Sequence, residues 1–294
     1  MDEHPAAPAA TSSGQPTDAP VNDLVERDVN CPMCGYNLRG LIDPRCPECG
    51  FTFLWVELLD PSRWVHPYVF EHHPRHNVWS FFRTLIGGLR PGRFWDSLMP
   101  SQPSHPGRLR LYCAIVVVLS FVGLVAELVA TTVEIRPRYG GPATLEIWKE
   151  MLQLAWQESR VGPLAVMALI PPAWALLTYW TMMIFGTSMH IAKVNPSHVF
   201  RCVVYCLDVC LWCGLFVAIA ALLPMSAVNS RDGMLLVLAG WATTMAVLLF
   251  AYRMCQAYRL YMRFRHPIAT VVATQIIVAL VVVNVLLFWI VSRR

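Results

Sequence analysis

Five long apolar segments, two matched cysteine knuckles ahead of them, and arginines gathered in alternate loops predict the fold class. It is an all-α polytopic membrane bundle of five transmembrane helices bearing a small N-terminal β zinc ribbon. The 294 residues are 56% hydrophobic and only 14% charged, with a mean hydropathy of +0.47. An ordinary soluble domain carries closer to a quarter charged residues. The net charge of +4 is modest. Its distribution along the chain says more than its size.

The knuckles are Cys31-Pro32-Met33-Cys34-Gly35 and Cys46-Pro47-Glu48-Cys49-Gly50, with eleven residues between the inner cysteines. This spacing is that of a structural Zn2+ site, in which Cys31, Cys34, Cys46 and Cys49 supply a closed tetrahedron of thiolates. Proline stiffens each turn. The glycine after each second cysteine lets the backbone fold back with N–H groups aimed at sulfur. Between the knuckles, Tyr36 to Leu41 followed by Asp43-Pro44 reads as a short strand and turn. Val29, Tyr36, Leu38, Leu41, Phe51 and Phe53 are the core available to residues 29–54. So few side chains cannot hold a fold alone. A structural zinc contributes on the order of 10–16 kcal/mol and makes up the deficit. Four cysteines leave no open position for catalysis. Arg27, Arg39 and Arg45 are offset by Glu26, Asp28, Asp43 and Glu48, so no nucleic acid is expected as a partner. A protein-docking knob is the expected role.

Residues 1–28 precede the ribbon. Met1 to Asn22 is rich in Pro, Ala, Ser, Thr and Asp, without the apolar middle of a secretory signal. It reads as a disordered tail. Residues 55–110 form a linker. Val78, Phe81, Phe82, Leu85, Ile86 and Leu89 fall at helical spacing, with Asn77 as a possible N-cap and Gly87-Gly88 near the end. Arg93-Phe94-Trp95 opens a second short amphipathic piece through Leu98. Arginines beside Phe and Trp suit helices lying in the headgroup layer. Packing against the bundle fits the same pattern. His66, His72, His73, His76 and His105 also gather here. Without fixed spacing they are expected to be solvated rather than to form a second metal site.

The membrane domain, residues 111–294, contains spans at 111–133, 162–186, 199–223, 234–251 and 268–291. Each is near the roughly 20 residues that cross a hydrocarbon core. Pro171-Pro172 is expected to kink the second. Arg83, Arg90, Arg93, Arg108 and Arg110 precede the first span; Lys193 and Arg201 flank the second-to-third loop; Arg253, Arg259, Arg263 and Arg265 lie between the fourth and fifth. In a five-span chain these segments share one face. The positive-inside rule makes that face cytosolic, with the C-terminus outside, although Arg293 and Arg294 oppose it. Free thiolates also require a reducing compartment. The expected location is the cytoplasmic membrane, with lipid as a partner. A helix from Leu145 through Trp156, capped by Thr144, is expected between the first two spans.

Ionisable groups inside spans are functional candidates. Glu127 lies toward the outer end of span one and Asp208 toward the inner end of span three, both within reach of headgroups. Gln275 and Asn284 suit interhelical hydrogen bonds. Cys202, Cys206, Cys210 and Cys213 recur at helical spacing and read as small hydrophobes. No protease, hydrolase, P-loop or dinucleotide motif occurs, and no small-molecule substrate is indicated. The expectation is a non-enzymatic scaffold or adaptor; the alternative is a small transporter or channel using Glu127 and Asp208.

The run from Cys31 to Leu41, closing with Arg45 to Gly50, resembles the N-terminal zinc ribbons of many planctomycete membrane proteins over about twenty residues. The loop Ala192 to Ser197 leading into Val199 to Tyr205 is similar to the Yip family. That resemblance implies a cytosolic N-terminus and five spans. The zinc head departs from the usual Yip plan.

Overall fold

The computed structural model describes residues 28–135, 144–157, 161–184, 194–222, 231–264 and 266–292. The tail expected to be disordered lies almost wholly outside the described residues, as do Arg136, Arg138, Arg160, Lys193, Arg265, Arg293 and Arg294. No sheet forms among the described residues. Helices dominate: α1 (Trp55–Leu59), α2 (Asn77–Gly88), α3 (Pro91–Ser97), α4 (Pro106–Ser120), α5 (Val122–Ile135), α6 (Leu145–Gln157), α7 (Val161–Ile184), α8 (Pro196–Cys206), α9 (Val209–Leu222), α10 (Arg231–Gln256) and α11 (Pro267–Ser292).

Five stretches are long and apolar enough to cross a membrane: Pro106–Ala130, Leu164–Ile184, Pro196–Ala220, Met234–Tyr261 and Pro267–Val285. Their number matches the sequence expectation, while three boundaries shift toward the loops. The first span begins five residues earlier, because Pro106 sits at the first helical turn, where its missing N–H costs nothing. It is interrupted at Phe121, between α4 and α5. The third likewise starts at Pro196, capped by the Asn195 side chain accepting from the Ser197 N–H at 3.0 Å. The fourth runs on through a π-helical turn, Ala257–Tyr261. Helix α7 carries Pro171 and Pro172 inside one unbroken helix. At α6, the Thr144 hydroxyl accepts from the Ile147 N–H at 3.4 Å, the cap expected there.

Packing in the bundle is closest between α5 and α9. Small residues make that approach possible. A Cβ on Gly123 would lie 2.6 Å from the Gly214 carbonyl oxygen, and one on Gly214 would strike the Ser120 carbonyl. Helix α10 packs between α9 and α7, and α11 lies against α7. There Trp174 donates to Gln275, whose amide donates to Thr178 at 3.4 Å. Gln275 therefore joins two helices as expected. Asn284 instead donates to Leu280 within its own helix, at 2.7 Å.

Residues 55–105 wrap the end of the bundle, forming a head together with the cysteine segment 29–54, where two isolated bridges stand in place of the expected β strands. Val69, Phe70, Phe94 and Trp95 are buried against Tyr112, Tyr205 and Tyr261, and ring centroids lie 5.4–5.8 Å apart in the Phe70–Tyr112, Phe94–Tyr205, Tyr112–Tyr205 and Trp95–Tyr261 pairs. Aromatic pairs in edge or tilted geometry add specificity to the area they bury. The stripe expected along α2 divides. Phe81 and Leu85 face inward with Ser80, Thr84 and Gly88, whereas Val78, Phe82, Ile86 and Leu89 face outward. Asn77 is the first helical residue, and the helix start has no side-chain cap.

Of two buried ion pairs, one ties head to bundle and the other joins two spans beneath it. Arg201 of α8 meets Glu71 with Nε 2.8 Å from Oε1, both side chains fully buried. Asp208, in the turn between α8 and α9, pairs with Arg253 of α10. Gly88 closes over this second pair; a Cβ there would collide with both groups. Arg253→Ala leaves the Asp208 carboxylate buried alone and is expected to cost about 3–5 kcal/mol, whereas joint replacement by Leu at 208 and Met at 253 recovers most of the loss. Unfolding of the purified wild type and the two variants in detergent measures both.

Candidate metal centre

The two knuckles have the same backbone plan. Gly35 N–H donates to the Cys31 carbonyl at 2.8 Å, and Cys31 N–H to the Tyr36 carbonyl at 2.7 Å. In the second knuckle, Gly50 donates to Cys46 and Cys46 to Phe51, each at 2.9 Å. Gly35 and Gly50 hold φ of 78° and 72°, left-handed values that cost a glycine nothing. The N–H groups that reach sulfur belong to the next residues, Tyr36 for Cys34 and Phe51 for Cys49, rather than to the glycines. Antiparallel bridges join Asn30 to Asn37 and Arg45 to Thr52.

This plan brings Cys31, Cys34, Cys46 and Cys49 together with all four Sγ atoms within 4.8 Å of one another. Cys31 and Cys49 lie 3.6 Å apart, and Cys34 and Cys46 lie 3.5 Å apart. A tetrahedral ion with metal–sulfur bonds near 2.3 Å sets its sulfurs about 3.8 Å apart. The residues therefore fit a metal ion. Burial pushes the Cys34 thiol up to about 12. The Cys31 sulfur, then burial, raises Cys49. A cation at the centre reverses that balance and holds the ligands as thiolates.

The ribbon is seated on the bundle. Asn195 N–H donates to the Met33 carbonyl at 2.7 Å, and His198 Nε2 lies 2.7 Å from the Pro32 carbonyl. Arg263 donates to the Thr52 carbonyl at 3.3 Å and stands over the Phe51 ring. Of the expected ribbon core, Leu38 and Phe53 are buried; Val29, Leu41 and Phe51 are half-buried; Tyr36 is exposed. Met33 is buried too. A cleft of about 400 Å³ opens beside the first knuckle, lined by Asn30, Pro32, Trp64, Gln102, Asn195 and His198.

His66, His72 and His73 are structural, which corrects the expectation that they are solvated, whereas His76 and His105 are exposed as expected. His66 is fully buried, its Nε2 3.1 Å from Ser97 Oγ. The His66 N–H donates to His72 Nδ1 at 2.8 Å, and His73 Nε2 lies 2.7 Å from the His66 carbonyl. Among the described residues only the ribbon cysteines group as metal ligands. Cys202, Cys206 and Cys210 are buried and Cys213 half-buried in α8 and α9, all as free thiols.

Asp208 does not reach the headgroups as expected; it is buried and tied to Arg253. Glu127 is buried within α5. A void of about 30 Å³ lies among the spans beside Ser120, Met167, Cys213 and Thr243, room for about one water. Sequence reasoning missed Glu71, His198 and Tyr261. His198 Nδ1 lies 2.6 Å from the Tyr261 hydroxyl, which also accepts from Arg201 at 2.8 Å. No local spacing marks these residues, which come together from segments far apart in the chain.

Two outcomes follow from the chemistry. Purified protein is expected to carry one metal ion per chain, read by elemental analysis, and Cys46→Ser is expected to lose it along with protection of residues 29–54 from proteolysis. At His66, burial together with His72, His73 and Arg201 holds the ring pKa down to about 4. The unfolded linker then takes up a proton near pH 6.5 that the folded head refuses. Stability falls as pH drops from about 6.5 to about 4, by a total on the order of 3 kcal/mol. Melting of wild type against His66→Gln at saturating zinc is expected to show the shallower acid slope in the variant.

No family model, curated protein or solved structure matches the chain.

Proposed function

We propose that the protein is a multi-pass membrane scaffold or adaptor, without catalytic chemistry of its own, whose zinc-clamped ribbon docks a protein partner. Zn2+ is the ion that four cysteines in this spacing favour. The closed donor set leaves it structural. The proposed site is the cytoplasmic membrane with the head in the cytosol, supported by exposed Arg83, Arg90, Arg93, Arg110, Arg259 and Arg263 on the head side and by the need of thiolates for a reducing compartment. The Yip-like plan, five spans behind an N-terminal head, belongs to the same proposal.

One observation carries the docking role. The knuckles face the bundle, and the turn between them, Arg39 to Pro44, faces away with Ile42 90% exposed at its tip. An aliphatic side chain presented so far from any core suits a partner's pocket. The transporter alternative has less support, because Asp208 is committed to Arg253. Crosslinking in native membranes with the ribbon as bait tests the proposal. Ile42→Asp is expected to lose the wild-type crosslinked partners with membrane insertion and metal content unchanged; recovery of the same partners from the variant overturns it.

A further inference from the structure

Helix α2 turns five apolar side chains away from the protein: Val78, Trp79, Phe82, Ile86 and Leu89, each at least 48% exposed. Its inner face shows how deep it lies. Phe81 stacks on Tyr112 at 5.3 Å, one residue past exposed Leu111 in the first span. Gly88 abuts Asp208 and Arg253.

The third and fourth spans change character at this level. Along the third, every residue from His198 to Cys210 except half-buried Phe200 is buried, and exposed apolar residues begin only at Leu215. Along the fourth, exposed apolar side chains run from Val237 to Tyr252 and stop, and the exposed residues beyond are Arg259 and Arg263. From Pro196 to Asp208 the chain climbs about 18 Å, at 1.5 Å per residue. Helix α8 is packed among α4, α7 and α10 beneath the head, and on the second and fifth spans exposed apolar side chains continue to the head-side ends, at Ile184 and Ile268. The outward face of α2 is level with the Asp208–Arg253 pair and continues this apolar surface.

We propose that α2 lies in the plane of the head-side leaflet, its apolar face in the acyl boundary, with Arg83, Arg90 and Arg93 holding anionic phospholipid headgroups. All three arginines are exposed, with Asp96 the exposed acid nearest in sequence. The Arg83 guanidinium stands 5.7 Å from the Trp79 ring centre, a cation beside an aromatic at the depth where both favour an interface. Basic residues at this level attract anionic lipid.

The full chain, with benzoylphenylalanine replacing Phe82, is reconstituted in vesicles of equal parts phosphatidylcholine and phosphatidylglycerol and irradiated. Lipid adducts are expected at position 82 and at a control in mid-membrane, Trp241, but not at Ile42. Phosphatidylglycerol adducts at position 82 are expected to exceed phosphatidylcholine by about fivefold, the preference of one effective arginine contact. Joint replacement of Arg83, Arg90 and Arg93 by Gln is expected to bring that ratio near unity. Crosslinking of position 82 to a second copy of the chain, absence of lipid adducts there while position 241 gives them, or equal capture of both lipids by wild type each overturns the proposal.

Discussion

Arg201 carries a charge into a place without water, and the head is assembled around it. Its guanidinium reaches Glu71, the Gln102 carbonyl at 3.2 Å, the Pro103 carbonyl at 2.7 Å and the Tyr261 hydroxyl. Glu71 in turn accepts from Tyr205 at 3.1 Å and from the His105 N–H at 3.1 Å. A buried ion pair repays its desolvation only when such further hydrogen bonds are made. The linker bends as it does because Glu71, Gln102 and Pro103 must all meet one side chain on α8. Removing any of them leaves charge or carbonyl unsatisfied in a dry interior.

The metal site enters the same construction from above. Tyr261 accepts from Arg201 and bonds His198, and His198 bonds the carbonyl of Pro32 between two cysteines. The ordered first knuckle is thus one end of a hydrogen-bonded line that finishes at Glu71. A ribbon of about 25 residues is too small to hold its own shape. Here it gains support on two sides, from the ion its thiols fit and from the helix ends it covers. The buried cluster reflects this, running without a break from Cys31 and Leu38 through Trp95 and Tyr205 to Tyr258.

Below the head the forces change. Between lipid-facing helices the hydrophobic effect gives little preference, so close packing and a few hydrogen bonds decide which helices touch. Gly123, Gly214 and Ser120 let α5 and α9 approach, and Gln275 ties α11 to α7 through Trp174 and Thr178. Burial reflects the division. Sixty-one per cent of the most apolar window in the third span is buried, against 17–28% in the other four, because its first half lies among α4, α7 and α10 and beneath the head.

The sequence by itself determined the number of spans, the four cysteines that cluster as a candidate metal site and the amphipathic helices at 77–88 and 145–157. Each is written in local periodicity or spacing, where neighbours in the chain are neighbours in space. Apolar length marks a span whatever surrounds it, and C-x2-C fixes two ligands on one turn. Only the tertiary structure decided what α2 buries, that the cysteine segment rests on the bundle, and that His66 is held in the linker's core. It alone showed Asp208 paired with Arg253 rather than facing headgroups. A helical stripe records which residues share a face but not which way the face points. The charged partners of Glu71, Arg201 and Asp208 lie 45 or more residues away in the chain, where no periodicity reaches and only packing brings opposite charges together.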